Sequence, residues 1–273
     1  MGKLYLVATP IGNLEDITLR ALRILRQVNL IAAEDTRQTR KLLDRHEIHG
    51  PLVSYQEHNK ESRGPEILEA LQEGDVALVS DAGTPGLSDP GYELVQAATE
   101  HGFPVSPIPG PSAPIAALVA SGLPTNEFVF VGYLPRRAAD RRRVLEELSR
   151  ERRSLIAFEA PHRLRRSLGD LVTAFGESRP AAVCREMTKL HEEILRDTLG
   201  GIREHFDRVE PRGEITLVVG GYQGEAPWGM DQVRQAVAAR LEAGLTPTQA
   251  ARAVAFEAGW SRGEVYRLAL EER

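Results

Sequence analysis

Cysteine is nearly absent from this 273-residue chain, in which Cys184 stands alone. A single cysteine excludes an intrachain disulfide. The first residues, Met-Gly-Lys-Leu-Tyr, lack the basic-then-apolar order of a secretory signal, and no stretch approaches the roughly 20 apolar residues of a membrane span. We therefore expect a cytoplasmic protein that works in a reducing compartment and has no membrane partner.

Several ligand-binding patterns are missing as well. No Gly-x-Gly-x-x-Gly follows the first apolar run, and Gly-x-x-x-x-Gly-Lys occurs nowhere, so nothing favours a dinucleotide or a nucleoside triphosphate. The seven histidines are scattered, and His191-Glu192-Glu193 has no partner at ligand spacing, so we expect no metal. Cys184 lies within an apolar run, which favours a buried hydrophobic role over a nucleophilic one.

The first part of the chain alternates short apolar runs with segments of helical spacing. The runs, interpreted as strands, are 4–8, 30–33, 76–79 and 105–108, and the helical segments are 17–28, 39–46, 65–72, 92–100 and 112–120. This alternation predicts an α/β domain with a largely parallel sheet. Gly122 and Pro124 end the last helix, so we place this domain at residues 1–122.

A second α/β domain is expected over residues 123–222. Its predicted strands are 128–131, 155–158, 181–184 and 215–219, and its predicted helices are 139–149 and 164–175. The connection over 197–214 is interpreted as short and turn-rich, which favours a mixed sheet.

A linker over 220–229 leads to a small helical domain, residues 230–273. Capping boxes begin at Thr246 and Ser261, and the predicted helices are 230–243, 247–258 and 262–271. Three short helices are similar to a helix-turn-helix. From residue 225 onward, however, the net charge is −1, which favours packing or dimerisation over nucleic-acid reading.

The loops after the four apolar runs of the first domain are rich in Gly, Pro, Asp and small hydroxyl residues. They are 9–13, 34–37, 80–86 with 89–91, and 109–113. Ligands of open α/β sheets bind beyond the carboxyl ends of the strands, so the four loops together predict a site for a small polar ligand. Taken singly, each is typical of a tight turn. S-adenosylmethionine, which carries no phosphate, fits such loops, as do other nucleosides.

The net charge of −5 is unevenly distributed along the chain. Residues 136–166 contain eleven arginines and five acidic residues, a net charge of +6, which leaves −11 on the remainder. A basic segment in an acidic protein is typical of a polyanion-binding surface. A solvated helix face with internal ion pairs would give the same pattern.

Eight motifs occur in an order that is more specific than any of them alone. They are Thr9-Pro10-Ile11-Gly12-Asn13-Leu14, Ala33-Glu34-Asp35-Thr36-Arg37, Ser80-Asp81-Ala82-Gly83-Thr84-Pro85, Asp89-Pro90-Gly91, Pro109-Gly110-Pro111-Ser112-Ala113, Ser121-Gly122-Leu123-Pro124, Phe158-Glu159-Ala160-Pro161-His162-Arg163 and Arg185-Glu186-Met187-Thr188-Lys189. In this order they resemble the ribosomal RNA small subunit methyltransferase I family, within the tetrapyrrole methylase superfamily. The resemblance spans about residues 3–221.

The resemblance implies S-adenosylmethionine-dependent 2′-O-methylation of a cytidine ribose in the decoding region of 16S ribosomal RNA. It also implies a homodimer and two α/β domains of tetrapyrrole-methylase type with the cofactor in the cleft between them. By position, the implied cofactor contacts are Pro10, Asp81, Ala82, Gly83, Thr84, Leu87, Ser112, Ala113, Phe158, Met187, Gly213, Ile215 and Thr216.

A ribose 2′-hydroxyl is a weak nucleophile, so a base that accepts its proton assists methyl transfer. The candidates in the loops are Glu34, Asp35, His58 and Glu159, and we expect Asp35 or His58 to lie nearest the ribose. Alternatively, Glu34 or Asp35 pairs with Arg37 or caps the helix that begins near Thr36. His58 has the alternative of an ordinary surface histidine.

Arginine side chains both pair with phosphate and stack on bases, so the basic segment is the predicted surface for the small ribosomal subunit. The predicted RNA contacts are Arg37, Arg136, Arg137, Arg141, Arg142 and Arg143. Two rival hypotheses are a methylase of a small tetrapyrrole and a regulator that reads DNA through its helical tail. The first needs no extended arginine surface, and the second conflicts with the acidic tail.

Overall fold

The computed structural model describes residues 2–224 and 228–271. Its first half contains a five-stranded parallel sheet in the order β3-β2-β4-β1-β5. The strands are β1 (Leu4–Val7), β2 (Leu30–Ala33), β3 (Leu52–Ser54), β4 (Val76–Val79) and β5 (Val105–Ile108). The helices between them are α1 (Leu19–Gln27), α2 (Thr36–Arg45), α3 (Lys60–Glu73) and α4 (Tyr92–Glu100).

Helices cover both faces of this first sheet. One core cluster joins alternate strand residues, such as Val7 and Val79, to α1 and α2. The other joins Leu4 and Leu78 to α3 and α4. The inner strands β2 and β4 are buried on both faces, so their sequences are continuous apolar runs rather than alternating ones. The predicted parallel sheet is confirmed.

The second half contains a mixed five-stranded sheet in the order β6-β7-β10-β8-β9. The strands are β6 (Phe128–Tyr133), β7 (Ser154–Glu159), β8 (Pro180–Arg185), β9 (Glu193–Thr198) and β10 (Ile215–Val219). Only β6 and β7 pair in parallel; the other described pairs are antiparallel, as the prediction of a mixed sheet requires. The helices are α5 (Ala113–Ser121), α6 (Ala138–Leu148), α7 (Pro161–Phe175) and α8 (Leu199–Arg208).

The interpretation of residues 197–214 as a short, turn-rich connection is wrong. The segment completes β9 and then forms α8. As an edge strand with exposed polar residues, β9 lacks an apolar run. Gly200 and Gly201 are typical of a turn, yet they lie inside α8, where a Cβ on Gly201 would come within 2.3 Å of Asp197 Oδ2.

Although α5 follows the first sheet in the chain, its core contacts lie on the second sheet. Ala117 and Leu118 share a cluster with Ile156, Ala182 and Val218. The opposite face of the second sheet is covered by α6, α7 and α8. The helix therefore joins the two halves, and the loop that precedes it lies between the sheets.

The described part of the tail forms three helices, α9 (Met230–Glu242), α10 (Pro247–Ala258) and α11 (Arg262–Glu271), around a small apolar core. Both predicted capping boxes are present, at Thr246 with Gln249 and at Ser261 with Glu264. Part of the predicted linker, residues 225–227, lies outside the described residues. Within the described ranges, no helix combines the length and the apolar character needed to span a membrane.

Candidate active site

The loops that follow β1, β4 and β5 are joined at the carboxyl edge of the first sheet. Thr9 and Gly83 exchange two backbone hydrogen bonds, of 2.8 and 3.0 Å. The Thr84 hydroxyl donates to the Pro111 carbonyl at 3.2 Å. Gly83 adopts a φ of +81°, which L side chains rarely adopt. The small residues here therefore permit close approach between loops.

Carboxylates brace the loops after β2 and β4 against each other. Glu34 Oε2 accepts from the Asp81 backbone N–H at 3.2 Å, and Asp81 Oδ1 accepts from the Asp35 N–H at 2.8 Å. Two charge-assisted bonds between neighbouring loops restrict both of them. The acidic residues of the second and third motifs thus hold the edge of the sheet together.

Between the two halves lies a first cavity of about 350 Å³. Of the predicted cofactor residues, the structure places around it Asp81, Ala82, Gly83, Thr84, Leu87, Ser112, Ala113, Phe158, Met187, Gly213, Ile215 and Thr216. Pro10 does not line this cavity: it is buried, and its neighbour Ile11 takes that position. The structure thus places Ile11, and not Pro10, at the wall of this cavity.

Sequence reasoning missed several residues of the lining. They are Ile11, Asp89, Pro114, Tyr133, Ala160 and Pro161; Glu214, which lies between the predicted Gly213 and Ile215, also lines the cavity. Most of them are sequence neighbours of a predicted contact, and the prediction erred only in which neighbouring residue lines the cavity. Tyr133 lies beyond the predicted end of its strand at residue 131, because β6 is irregular between Phe130 and Gly132 and continues to Tyr133. A bulge of this kind has no clear sequence signal beyond the glycine.

The charge of the first cavity is negative. Its described lining includes the carboxylates of Glu34, Asp81, Asp89, Glu159 and Glu214 and no Lys, Arg or His. Burial, followed by repulsion from Glu34, raises the pKa of Asp89 to about 7. Burial is also the main cause of the raised pKa of Glu34. Such a cavity suits a cationic ligand that carries no phosphate.

Like Glu214, which pairs with Lys189, Glu159 is already engaged in an ion pair. Its side chain is fully buried and lies 3.1 Å from Arg163 Nε. It also accepts hydrogen bonds from the Ser167 hydroxyl and from the Ala160 backbone N–H. Glu159 therefore links the end of β7 to α7, and a role as a free base is not favoured.

The loop after β8 supports Met187 and lies against the first half. Glu186 Oε1 accepts from the Glu214 N–H at 2.9 Å, and Lys189 Nζ pairs with both Glu186 and Glu214. Gly213 has a φ of +77°, and a Cβ there would lie 2.4 Å from Glu186 Cγ. On the opposite side, a Cβ on Gly12 would lie 2.6 Å from Lys189 Cγ.

A second cavity of about 530 Å³ adjoins the first. Its lining is Glu34, Asp35, Gln56, Glu57, His58, Asp81, Ser88, Asp89 and Pro90, so the three predicted catalytic residues are together here. Glu34, Asp81 and Asp89 line both cavities. The two cavities therefore meet at a group of three carboxylates.

Asp35 and His58 have different surroundings in this second cavity. Asp35 caps α2 and pairs with Arg37, whose hydrogen bonds lower the pKa of the carboxyl to about 2. The expected alternative of capping and pairing is thus what the structure contains, and a carboxylate with so low a pKa is a weak base. His58 is exposed in the turn before α3.

The predicted RNA contacts separate into two groups. Arg37, Arg136, Arg137, Arg142 and Arg143 are exposed. Arg141 is buried, donates to Asp170 Oδ2 at 2.6 and 2.8 Å, and also donates to the Pro135 carbonyl. The prediction that Arg141 contacts RNA is therefore wrong, because this side chain is used to join α6 to α7.

Comparisons with known proteins agree with this architecture. A family model described as Tetrapyrrole (Corrin/Porphyrin) Methylases matches residues 3–203. A protein named Ribosomal RNA small subunit methyltransferase I from Synechocystis sp. is 48% identical and covers 99% of this chain and 98% of its own length. One of the same name from Thermotoga maritima is 50% identical over 81% of this chain and 99% of its own length.

Solved structures show the same fold at low sequence identity. A cobalt precorrin-4 methyltransferase aligns with a TM-score of 0.61 at 17% identity, covering 80% of this chain and 94% of its own. A uroporphyrin-III C-methyltransferase from Thermus thermophilus, described as complexed with S-adenosyl homocysteine, aligns with a TM-score of 0.56 at 22% identity, covering 80% and 97%. The expected fold class and resemblance are confirmed, and the chain belongs to the tetrapyrrole methylase family and, within it, to the ribosomal RNA small subunit methyltransferase I family.

Proposed function

We propose that this protein transfers a methyl group from S-adenosylmethionine to the 2′-hydroxyl of a cytidine ribose in the decoding region of 16S ribosomal RNA. The observation that carries the proposal is the junction of two cavities at Glu34, Asp81 and Asp89. Two adjacent cavities allow a donor and an acceptor to meet. The names of the relatives favour ribosomal RNA as the acceptor.

The first cavity fits S-adenosylmethionine in its charge and in its donor set. When bound, this cofactor supplies a methyl group on a positively charged sulfur that departs as a neutral thioether. The lining carboxylates suit that positive charge, and the hydroxyls of Thr84, Ser112 and Thr216 suit a ribose and an amino acid. The leaving group is neutral, so it needs no cationic side chain to stabilise it. The described lining accordingly contains no Lys or Arg.

The second cavity suits the acceptor nucleoside. The exocyclic amine of cytosine is a hydrogen-bond donor, and carboxylates are its natural acceptors. In this proposal Glu34 and His58 contact the nucleoside, while Asp35 acts mainly by fixing the loop through its pair with Arg37. The chain's task is alignment, since a correctly oriented hydroxyl accounts for several kcal/mol of the barrier.

The exposed arginines of α6 and the residues before it supply a surface for RNA phosphates. Arg136, Arg137, Arg142 and Arg143 lie in the same half as β7 and α7, whose junction lines the first cavity. Arg37 extends the set on the first half, next to the second cavity. Cationic groups on both sides of the cavities favour a large polyanion over a single porphyrinoid.

Two further predictions belong to this proposal. We place the protein in the cytoplasm with the small ribosomal subunit, and as a homodimer. Exposed apolar side chains at Ile115, Val119 and Leu190 support a surface for a second copy, since they are 44%, 67% and 93% exposed. Light scattering of the purified protein measures its oligomeric state directly.

The test uses S-adenosylmethionine labelled on its methyl group. The purified protein is incubated with small ribosomal subunits that lack the modification, with naked 16S RNA, and with a carboxylated porphyrinoid. Label recovered as 2′-O-methylcytidine after nuclease digestion supports the proposal. Label on a nucleobase carbon, or only on the porphyrinoid, overturns it and favours the small-tetrapyrrole hypothesis.

A further inference from the structure

We propose that Asp89 is the base that accepts the proton of the attacking ribose hydroxyl. The inference rests on the proposed function and deepens it, because it assigns a step that Asp35, Glu34 and His58 were expected to perform. Asp89 lies in the loop between β4 and α4, within the Asp89-Pro90-Gly91 motif, which was predicted to border the ligand site with no role for the carboxylate itself.

Asp89 stands where the two cavities meet. It lines both of them, as Glu34 and Asp81 do. Those two carboxylates are engaged as braces, each accepting a backbone N–H from the neighbouring loop. Asp89 has a hydrogen bond with Ser80 and forms no ion pair with the described Lys and Arg residues. Of the three, Asp89 is therefore the one whose protonation disturbs no described backbone bond between neighbouring loops.

The backbone holds Asp89 in place before any ligand binds. Gly86 and Gly91 have φ of +80° and +145°, and Ser88, a non-glycine residue, has a φ of +65°. A Cβ on Gly91 would lie 2.9 Å from Leu78 Cδ2 and 3.3 Å from Gly86 N. Unfavourable backbone geometry of this kind persists where the surrounding structure compensates for it. Asp89 is thus fixed at the junction by a tightly folded loop.

The surroundings of Asp89 also suit a base that works near neutral pH. Titratable groups face it from both cavities: Glu34, Asp35, Glu57, His58, Asp81, Tyr133, Glu159 and Glu214. Most are acidic, and burial together with Glu34 raises the pKa of Asp89 to about 7. A general base is most effective when its pKa lies near the operating pH. By contrast, Arg37 lowers the pKa of Asp35 to about 2.

The step balances without another reactant. The hydroxyl oxygen forms a bond to the methyl carbon, and the carbon–sulfur bond breaks with its electron pair remaining on sulfur. The O–H bond breaks as its proton moves to the Asp89 carboxylate. The carboxyl then releases that proton to water through the open second cavity.

The experiment compares Asp89→Asn, Glu34→Gln and Asp44→Asn with the wild type. Asp44 is an exposed carboxylate on α2, away from both cavities, and provides the matched control. Single-turnover rates on small subunits are measured from about pH 5 to about pH 9, with S-adenosylhomocysteine affinity measured by calorimetry. We expect Asp89→Asn to lose about 100-fold or more in rate, and to lose the rise in rate through about pH 7 that the wild type shows.

A second readout does not depend on turnover. An acid whose pKa is raised on folding makes the folded state less stable as pH rises from its unfolded pKa toward its folded one. The melting temperature of Asp89→Asn should therefore exceed that of the wild type by a few degrees at about pH 8, with the difference disappearing at about pH 4. Retained binding of S-adenosylhomocysteine shows that the variant is folded around its first cavity.

The outcomes separate this inference from the proposed function. A wild-type protein that transfers no methyl group to RNA refutes the proposed function, whatever Asp89 does. A wild-type protein that is active while Asp89→Asn keeps both its rate and its pH dependence overturns the inference alone. Loss of the pH dependence in Glu34→Gln but not in Asp89→Asn also overturns it. Partial recovery of rate in Asp89→Glu, with a shifted pH profile, supports it.

Discussion

The two halves of the molecule use charge in opposite ways. At the edge of the first sheet, carboxylates brace neighbouring loops and line two cavities. In the second half, Arg136, Arg137, Arg142 and Arg143, before and along α6, face the solvent. The net charge of −5 for the whole chain therefore conceals a negative site in one half and a positive surface in the other. A negative interior for a small cation and a positive exterior for a polyanion are compatible when different elements carry them.

The largest loss of stability is expected when Arg141, the buried arginine of α6, loses its partner Asp170. Asp170→Ala leaves Arg141 charged and without its partner, which is expected to reduce the free energy of unfolding by about 3 kcal/mol or more. The measurement is urea denaturation. Arg142→Ala is the control, since Arg142 is 64% exposed and lies 3.6 Å from the same carboxylate, and a loss below about 1 kcal/mol is expected. If the two variants lost equal free energy of unfolding, the distinction between a structural Arg141 and the exposed arginines would be contradicted.

Reversing the exposed arginines tests whether the second half holds RNA. The combined substitution of Arg136, Arg137, Arg142 and Arg143 by Glu should weaken RNA binding at least about tenfold and flatten its salt dependence. Affinity for S-adenosylhomocysteine should be unchanged, because none of the four lines the first cavity. Substitution of the exposed tail arginines Arg252, Arg262 and Arg267 by Glu is the control. If the tail variant lost more RNA affinity, the tail and not α6 would be the contact surface.

A smaller effect is expected from a substitution at Gly213, which lines the first cavity between the two halves. Gly213→Ala combines a φ of +77° with a clash against Glu186, so the loop that carries Glu214 must shift relative to the loop that carries Met187. We expect a loss of about 1–3 kcal/mol in stability and weaker S-adenosylhomocysteine binding. Gly169→Ala, in α7 with open space around its Cβ position, should be neutral or stabilising by up to about 1 kcal/mol. Thermal melts and calorimetry distinguish the two variants.

The smallest effect is expected at Cys184, in the core between α5 and the second sheet. Burial raises the pKa of this thiol to about 11, so it should react slowly with a disulfide reagent in the native state and rapidly in urea. Cys184→Ala should retain methyl transfer and lose about 1 kcal/mol of stability. Rapid labelling of the native protein would contradict a closed interface between α5 and the second sheet.

The sequence predicts the first sheet closely because its inner strands β2 and β4 are buried on both faces and form continuous apolar runs. β2, β4 and β5 have the predicted bounds, and the turn-rich motifs between them surround the cavities. β9 was missed because an edge strand needs no apolar run. Arg141 was misassigned because its partner, Asp170, lies 29 positions away, and charge patterns report only neighbours on one helix. The sequence placed Asp89 in a loop of the ligand site but indicated no role for its carboxylate, because its partial burial depends on the assembled loops.

The position of α5 has a consequence for synthesis on the ribosome. This apolar helix emerges about 100 residues before β10, and β10 is the central strand of the sheet on which α5 packs. At about 5–20 residues per second, α5 and the edges of β7 and β8 wait several seconds without their partners. The second sheet cannot close until its last strand is made. A nascent chain that ends before residue 215 therefore exposes an aggregation-prone surface, and chaperone binding should concentrate in that interval.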